Sequence, residues 1–506
     1  MSNSRVLALL AAGCILSACG GDGSTGPDPE PKPEPEAPAR PGIKVVAGGS
    51  AGDTTGAIPV QALVVEVRGA DGKVAPGVTV HFRALEVPPP AACPVVESIC
   101  FDRPGMLMSR LTSDAFLYAD SIAANSEGRA SVRTRFGDFA GESRIVVSVP
   151  ALGFQDTVRF TVRPGSAHRA VVAPRQAMAY LGTTFSRRGI VVDRHGNERP
   201  EASTLSSGGG LRVEGTRVTA ERYGGHQLRA EYPGIPGDSV YVGVVPRGTI
   251  AFVKRYWYSD SILVAGLDGS NLRGVWGGGA GQQVVGFDWK PDGSGFVASI
   301  GQWDRIGRLY SIDLDGSSRP LFADTARGSE VFPNFSADGR WLFFAGTDGR
   351  MWRARPDGSG VEQVGPARFF SPRGVAPSPD GSRVAFAARS EYRSWIYDLR
   401  SGRETDLAMG ADAVRWSPGG DLLAVHTYHL GPGVVDPGRA DISVGAVRWF
   451  SGAYNTPVNN SQIDWSSDGK WILFQEPYYL GLMQMETGLP VFLLDTREYT
   501  QVALKP

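Results

Sequence analysis

The sequence has almost no net charge and no long apolar run. Its 51 Lys and Arg balance 52 Asp and Glu, which leaves a formal charge of -1 over 506 residues. Because there is no basic excess and no basic block, nucleic acid is not an expected partner. No segment is apolar over the length that a bilayer requires, so we expect no membrane-spanning helix.

Helical periodicity is scarce, and two cofactor motifs are missing. Neither a phosphate-cradling loop with its Lys nor a dinucleotide glycine fingerprint occurs, so no cofactor is expected. The chain does contain 66 Gly and 36 Pro with only 20% charged residues, which is typical of many short strands joined by turns. At roughly 100–200 residues a domain, the length predicts three to four domains. The sequence therefore predicts an all-β protein.

The N-terminus has the pattern of an exported protein. A basic residue precedes an apolar run at residues 6–16, which is about as long as a signal-peptide core. Residues 16–19 (Leu-Ser-Ala-Cys) resemble the lipobox of bacterial lipoproteins, in which cleavage before the cysteine frees its thiol for lipid. An alternative at residues 11–14 would move the lipid to Cys14, but it shortens the apolar core.

The lipobox resemblance implies a signal peptide at residues 1–18 and a lipid on Cys19. Gly20 follows, which implies sorting to the outer membrane of the cell envelope, on its periplasmic or its surface side. Residues 19–42 alternate Pro with acids and contain no core-forming residues, so they are predicted to form a tether. In a polyproline II conformation this tether reaches roughly 70 Å.

Cys93 and Cys100 remain once Cys14 leaves with the signal peptide and Cys19 carries the lipid. An even pair in an oxidising compartment predicts a disulfide. This pair is not expected to bind a metal, because no second Cys pair and no nearby His completes four ligands.

Residues 43–164 alternate apolar and polar side chains with a period of two, as half-buried strands do. The clearest series are Val78, Val80 and Phe82, and Val158, Phe160 and Val162. Hairpin turns are predicted at residues 69–72 and 125–128, where Gly supplies a positive φ.

Three segments of this region, 70–82, 125–134 and 156–162, resemble the bacterial immunoglobulin-like group 1 module of invasin-type proteins. Residues 165–247 resemble a second, more divergent bacterial Ig-like module. The resemblance implies two Ig-like β-sandwiches, which commonly act as spacers or adhesive stalks.

A five-residue motif that ends in Asp-Gly or Gly-Gly recurs through residues 248–506. From Trp289 to Trp465 it recurs in four steps that average 44 residues, the size of a four-stranded propeller blade. The copies resemble the WD40-like repeats of the TolB propeller, which implies a six-bladed β-propeller. The five copies begin at Trp289, Phe335, Pro377, Trp416 and Trp465.

The ring can close in two ways. Residues 491–495 and 500–504 form the last two strands of blade six, or the final strand crosses back to blade one. We favour crossing back, because it gives blade one the inner strand that it otherwise lacks.

The strands of a blade run up and down, so its connections alternate between two rims. The Asp-Gly motifs lie on one rim. The opposite rim carries aromatic and Arg side chains, which are frequent in binding hot spots. We expect the ligand at this aromatic rim unless its side chains pack under their own loops. The aromatic rim comprises Tyr256, Trp257, Tyr258, Trp303, Arg305, Arg368, Phe369, Phe370, Tyr392, His426, His429, Tyr478 and Tyr479.

Two patterns of catalytic or metal-binding type have the wrong context. Residues 48–52 match the serine-nucleophile pattern G-x-S-x-G, but they follow a tether and not a strand of a hydrolase sheet. His426 and His429, with Asp436 and Asp441 nearby, lack a fixed third ligand. The sequence therefore predicts no catalytic residue and no metal site.

Together these features predict a lipid-anchored protein of the cell envelope. Its propeller is expected to be a non-catalytic binding module for protein, peptide or glycan, held off the membrane by the Ig-like spacers. A structural or adhesive Ig-like stalk is the alternative. An enzyme with a site at the channel mouth is a third hypothesis.

Overall fold

The described part of the chain folds as strands. The computed structural model describes residues 40–49, 52–85, 116–117, 120–175, 178–255, 258–302, 305–323, 328–346, 348–365, 372–388, 393–427, 430–438, 446–450, 462–475, 479–495 and 499–506. These ranges contain the 3₁₀ turn Pro150–Leu152 and no α-helix, which confirms the all-β prediction. Nothing in them forms a helix able to span a membrane.

In the first domain, two sheets enclose one core. Its strands are β1 (Gly42–Ala47), β2 (Asp53–Thr54), β3 (Leu63–Arg68), β4 (Thr79–Ala84), β5 (Phe116–Leu117), β6 (Ser121–Ala123), β7 (Arg129–Val132), β8 (Thr134–Arg135), β9 (Gly141–Val149) and β10 (Phe154–Arg163). The sheets are ordered β1-β3-β7 and β2-β10-β9-β4-β6, and β5 pairs with β8. The predicted alternation is confirmed, since Val80, Phe82, Val158, Phe160 and Val162 are buried in the core between the sheets.

In the second domain, a six-stranded sheet ordered β11-β14-β15-β18-β19-β12 packs against a smaller sheet ordered β13-β17-β16. Val218, Leu228 and Val242 are buried between them. These strands are β11 (Arg169–Ala173), β12 (Met178–Tyr180), β13 (Thr184–Ser186), β14 (Arg188–Val192), β15 (Glu198–Ser207), β16 (Leu211–Glu214), β17 (Arg217–Ala220), β18 (Gly224–Glu231) and β19 (Asp238–Val245).

A hairpin turn of the second domain fixes its junction with the first. The Asp193 carboxylate accepts hydrogen bonds from the Thr55 hydroxyl at 3.0 Å and from the backbone N–H of Gly165 at 2.8 Å. The Asn197 side-chain amide donates to the backbone carbonyl of Asp138 at 2.8 Å. Because these bonds join both domains and the segment between them, the junction is held by polar contacts and not by the chain alone.

The Asp193 carboxyl makes this junction pH-dependent. Burial alone would raise its pKa, but hydrogen bonds from Asn197, Gly165 and His195 outweigh burial and hold the pKa below its ordinary value of 3.8. A lowered folded-state pKa means that the stabilisation is complete above 3.8. It is lost as the pH falls through the folded-state pKa.

We expect Asp193→Asn to lower the free energy of unfolding by about 1–3 kcal/mol near neutral pH, because buried donors lose their acceptor. The difference from the wild type should shrink at acidic pH, as the pH falls through the lowered folded-state pKa of the wild-type carboxyl. Thermal unfolding at the two pH values measures it. The exposed Asp156 supplies the control Asp156→Asn, and an equal Asp193→Asn effect at both pH values would contradict the assignment.

The remaining strands form six four-stranded sheets. They are β20 (Thr249–Arg255), β21 (Asp260–Gly266), β22 (Arg273–Gly277), β23 (Gln282–Trp289), β24 (Gly295–Gln302), β25 (Arg305–Asp313), β26 (Ser318–Pro320), β27 (Glu330–Phe335), β28 (Leu342–Gly346), β29 (Met351–Ala354), β30 (Glu362–Val364), β31 (Pro372–Pro377), β32 (Arg383–Ala388), β33 (Arg393–Asp398), β34 (Glu404–Asp406), β35 (Ala413–Trp416), β36 (Leu423–Thr427), β37 (Gly431–Val435), β38 (Arg448–Trp449), β39 (Ile463–Trp465), β40 (Trp471–Gln475), β41 (Tyr479–Gln484), β42 (Pro490–Asp495) and β43 (Tyr499–Leu504).

Each sheet is one blade, and the inner strands contact one another around a ring. Blades two to six each use four consecutive strands, starting with β23, β27, β31, β35 and β39. Contacts run β23 to β27, β27 to β31, β31 to β35, β35 to β39, and β39 to β43 to β23. The fold is therefore a six-bladed β-propeller.

Strand β43 closes the ring in blade one. That sheet is ordered β22-β21-β20-β43, and Ile250 pairs with Leu504 in antiparallel register. The prediction that the final strand crosses back to blade one is confirmed. The hydrogen bonds of β43 therefore join the two ends of the propeller sequence.

The second domain packs on the seam between blades six and one. Met178 and Val245 belong to the same buried apolar cluster as Ile250 of blade one and Leu493 of blade six. At the outer edge of blade six, the backbone N–H of Phe492 donates to the Tyr241 hydroxyl at 3.2 Å. The second domain and the ring thus share one core at the seam.

Candidate functional site

A cavity of about 270 Å³ opens at the Asp-Gly end of the propeller channel. The residues that line it recur from blade to blade. Equivalent positions at or just after the ends of the six inner strands form two layers around the cavity. The outermost layer, called the mouth, consists of Pro291, Ala337, Pro379, Pro418, Ser467 and Pro506. The layer below, called the wall, consists of Trp289, Phe335, Pro377, Trp416, Trp465 and Leu504.

The wall side chains hold neighbouring blades together. The indole N–H of Trp289 donates to the backbone carbonyl of Ala503 at 3.3 Å, and that of Trp465 donates to the carbonyl of Arg415 at 3.1 Å. Trp289, Trp416 and Trp465 are only 2%, 5% and 6% exposed. The wall therefore presents little aromatic face to the cavity, and most of each ring packs between blades.

The Asp-Gly turns support the mouth. In three of them, a Ser hydroxyl donates to the Asp carboxylate two residues later at 2.6 Å, as between Ser378 and Asp380. Gly339 follows such an Asp with φ +69°, and a Cβ on it would lie 3.1 Å from Pro291 of the preceding blade. The turn of one blade therefore packs directly on the mouth residue of another.

Gly339→Ala is expected to cost more stability than Gly269→Ala. Both glycines have a positive φ, +69° and +81°, so both substitutions carry a left-handed strain of about 1–2 kcal/mol. A Cβ at Gly269 meets nothing within 4 Å, whereas one at Gly339 presses on Pro291. Denaturant unfolding of the two variants measures the contact separately from the strain, and equal losses would show that the mouth contact contributes nothing.

The floor of the cavity is an ion triad that crosses the channel. Arg415 of blade five donates from Nη2 to Asp288 of blade two at 2.8 Å and from Nε to Asp464 of blade six at 2.9 Å. Asp288 also accepts the backbone N–H of Phe335, and Asp464 that of Leu504, both at 2.8 Å. Each carboxylate therefore binds the guanidinium and the backbone of a neighbouring blade.

Burial sets the electrostatics of the floor. It raises the pKa of the Asp288 carboxyl, and the attraction of Arg415 only partly offsets this. Burial by itself would lower the pKa of the Arg415 guanidinium. The attraction and hydrogen bonds of Asp288 and Asp464 are stronger and hold this pKa above its ordinary value. Arg415 is therefore a fixed cation in the channel.

A second cavity of about 50 Å³ lies against the same triad. It is lined by Asp288, Arg415 and Asp464 together with residues nearer the other end of the inner strands, such as Gly286 and Gln462. The triad thus separates the Asp-Gly mouth from the rest of the channel.

The structure places only part of the predicted aromatic rim. Tyr258 lies on it and is 74% exposed. His426, expected in a rim loop, instead lies within β36 and is 1% exposed, because that strand continues to Thr427 and pairs with β37. Arg305 and Tyr479 lie in strands, β25 and β41, with their backbones described. Outside the described residues are Tyr256, Trp257, Trp303, Arg368, Phe369, Phe370, Tyr392, His429 and Tyr478.

The His and Asp residues near residue 430 and the four cysteines lie mostly outside the described residues. Among the described residues, no group of three or more His, Cys, Asp or Glu is arranged to hold a metal ion. Asp436 follows β37, while Asp441 lies outside the described residues. The cysteines Cys14, Cys19, Cys93 and Cys100 also lie outside them.

The triad is not among the predicted site residues, although the repeat contains a signal for it. The residue before the first position of the motif is Asp288 in blade two, Asp464 in blade six and Arg415 in blade five. Opposite charges at one position of a repeat indicate a pair across the channel. The partners are far apart in sequence, however, and only the closed ring brings them together.

Comparisons with known proteins concern parts of the chain. No protein-family model matches the sequence. An uncharacterized protein of Agrobacterium fabrum is 32% identical over 161 residues, a match that covers 28% of this chain and 53% of the relative. The chain thus spans about half the length of the curated relative that it matches.

Similar solved structures include two TolB proteins. TolB from Acinetobacter baumannii has 16% identity and a TM-score of 0.42, covering 60% of this chain and 83% of its own. A putative TolB from Agrobacterium tumefaciens has 16% identity and a TM-score of 0.38, covering 51% and 92%. A nidogen/laminin complex has 11% identity and a TM-score of 0.40, covering 51% and 99%. The propeller fold of this chain rests on its own sheet order.

Proposed function

We propose that the propeller is a non-catalytic binding module and that the cavity at its Asp-Gly end receives the ligand. The observation that carries the proposal is the layered lining, with a mouth rich in proline above a buried charged floor. Ligand sites are concave and mostly apolar, with a few fixed polar groups that orient the ligand. The mouth and wall supply the apolar surface, and the triad supplies the polar groups.

The arrangement favours binding over catalysis. Asp288 and Asp464 are held by Arg415 and by backbone N–H groups, so neither carboxylate is placed as a mobile proton acceptor. A general base requires a carboxylate that can take a proton from the substrate. The fixed triad can instead orient a polar group of a ligand, which is protein, peptide or glycan in the proposed function.

Photo-crosslinking tests the site directly. A benzoylphenylalanine placed at Ser467, in the mouth, is expected to form a covalent adduct with the ligand in cells. The matched control is the same residue at Ser359, an exposed serine in the outer turn of blade three on the same face of the ring. Adducts at Ser467 but not at Ser359 support the cavity, whereas equal or absent labelling at both positions overturns it.

We further propose that the protein is anchored in the cell envelope through a lipid on Cys19, with two Ig-like domains as spacers. The lipobox-like motif at residues 16–19 and the acidic, Pro-rich segment at 19–42 support the anchor. The two-sheet architecture of residues 43–164 and 165–247 supports the spacers. Fatty-acid labelling should be lost in Cys19→Ser and kept in Cys14→Ser. The opposite result would move the anchor to Cys14.

The oxidising compartment also implies a disulfide between Cys93 and Cys100. Mass spectrometry of the exported, unreduced protein is expected to show the two residues linked. Two freely alkylated thiols would exclude the bond.

A further inference from the structure

The floor of the cavity keeps unused hydrogen-bond capacity. A guanidinium has five N–H donors, and Arg415 uses two of them, one to Asp288 and one to Asp464. The remaining three have no acceptor among the described residues. The Arg415 side chain is 20% exposed, and it lines both channel cavities. The side chain therefore borders the space that a ligand would enter, and three of its donors are unused.

The charge of the floor excludes some ligand groups. Two carboxylates and one guanidinium sum to a formal charge of -1 within a buried ring. An anionic group would bind Arg415 but would also lie close to Asp288 and Asp464, and like charges repel strongly where water is excluded. A cationic group would attract the carboxylates but would have to displace or approach Arg415. A charged group of either sign also loses its hydration on entry.

An uncharged group that both donates and accepts fits the triad. Its acceptor can take the open N–H groups of Arg415, and its donor can reach the carboxylate oxygens, which have further lone pairs. Asn334 occupies the equivalent position in blade three and also lines the cavity. A carboxamide has this pairing of donor and acceptor in one planar group.

The lining favours a polypeptide over a sugar. Sugar rings stack on open aromatic faces, but the three wall indoles are almost fully buried. Pro291 in the mouth follows Asp288 in the floor by three residues, and the last two lie beyond the end of β23. The depth between them is therefore about 10 Å at most. A side chain alone does not cover this depth from above the mouth, so part of the ligand backbone must enter between the prolines.

We infer that the cavity binds a protruding polypeptide segment whose Asn or Gln side chain reaches the triad of Asp288, Arg415 and Asp464. The inference rests on the proposed function and specifies its ligand. The mouth contacts the backbone of the segment, and the floor selects the carboxamide. Charged side chains of similar length are rejected by the floor.

The test uses the full chain and defined probes. The probes are the pentapeptides Gly-Gly-X-Gly-Gly with X as Gln, Glu, Lys or Leu, acetylated at the N-terminus and closed at the C-terminus as N-methylamides, so that only the Gln peptide carries a primary carboxamide. N-acetylglucosamine is the sugar probe, and saturation-transfer NMR detects binding. The Gln peptide is expected to bind about tenfold more tightly than the Glu, Lys and Leu peptides, because only it satisfies the buried polar groups. Tighter binding of any other peptide, or of N-acetylglucosamine, overturns the inference.

A specificity change keeps the test independent of folding defects. Asn334→Asp adds a second net negative charge to the floor without breaking the triad, so it should weaken the Gln peptide and strengthen the Lys peptide. Asn271→Asp, in an exposed turn of blade one, is the matched control and should leave the order of the probes unchanged. An unchanged order in Asn334→Asp overturns the inference.

Crosslinking and probe binding together distinguish the carboxamide ligand from the binding cavity itself. Adducts at Ser467 together with a wrong probe order would reject the carboxamide and leave the binding cavity in place. The absence of both adducts and probe binding would reject the cavity as well. Ser467→Trp, which fills the mouth and leaves the floor intact, should abolish binding of the Gln peptide, and persistent binding would place that peptide elsewhere.

Discussion

Arg415→Met should lower the free energy of unfolding of the propeller by about 3–5 kcal/mol, because it leaves two buried carboxylates without their cation. Asp288 and Asp464 are 5% and 6% exposed, so removal of the guanidinium leaves two carboxylates that have little contact with solvent. Denaturant unfolding of the full chain measures the loss. Adding Asp288→Asn and Asp464→Asn to Arg415→Met should recover part of it, since the uncompensated charge is then removed.

Arg393→Met is the matched control for this prediction. Arg393 pairs with Asp406 at 2.7 Å on the propeller surface, where the two side chains are 60% and 37% exposed. Exposed pairs contribute at most about 1 kcal/mol. A loss in Arg415→Met no larger than that of Arg393→Met would show that the triad is not a buried, coupled unit.

Removal of residues 499–506 is expected to abolish the cooperative unfolding transition of the propeller. The deletion takes away the inner strand of blade one and leaves β20 with an unpaired edge. Burial of Val502 and Leu504 alone contributes about 3–6 kcal/mol, and both belong to the core of the seam. Thermal unfolding and limited proteolysis measure the effect.

Removal of only Lys505 and Pro506 is the control for that deletion. It keeps all of β43 and removes one backbone hydrogen bond, from the N–H of Lys505 to the carbonyl of Thr249. A small stability loss is expected, of the order of 1 kcal/mol. If both deletions behaved alike, closure of the ring would not depend on the strand pairing.

The sequence predicts the local structure well where periodicity determines it. The alternation at Val80 and Phe82 identifies the buried face of β4, because a strand points successive side chains to opposite sides. The spacing of the Asp-Gly turns predicts the blades, since each turn needs a Gly with positive φ. The missing inner strand of blade one predicts the closure by β43.

Periodicity is less informative where a polar residue is buried. The sequence pattern predicts a loop at His426. In the structure, β36 pairs with Gly431–Val435 and continues past His426, which is therefore buried. Arg415 and Asp288 are 127 residues apart, so their ion pair depends on the closed ring and not on local pattern. The aromatic rim remains a prediction for the residues that lie outside the described ranges.

Packing of the second domain on the seam has a consequence for folding during synthesis. Ile250 pairs with Leu504 of β43, which is synthesised about 250 residues later. At roughly 5–20 residues per second, this delay is about 13–50 s. Throughout it, the edge of β20 lacks its neighbour, which is the condition that favours misassembly between chains. The strands of the second domain are synthesised before β20, and Met178 and Val245 pack in one cluster with Ile250. We therefore expect the second domain to cover part of the apolar face of blade one before the ring closes.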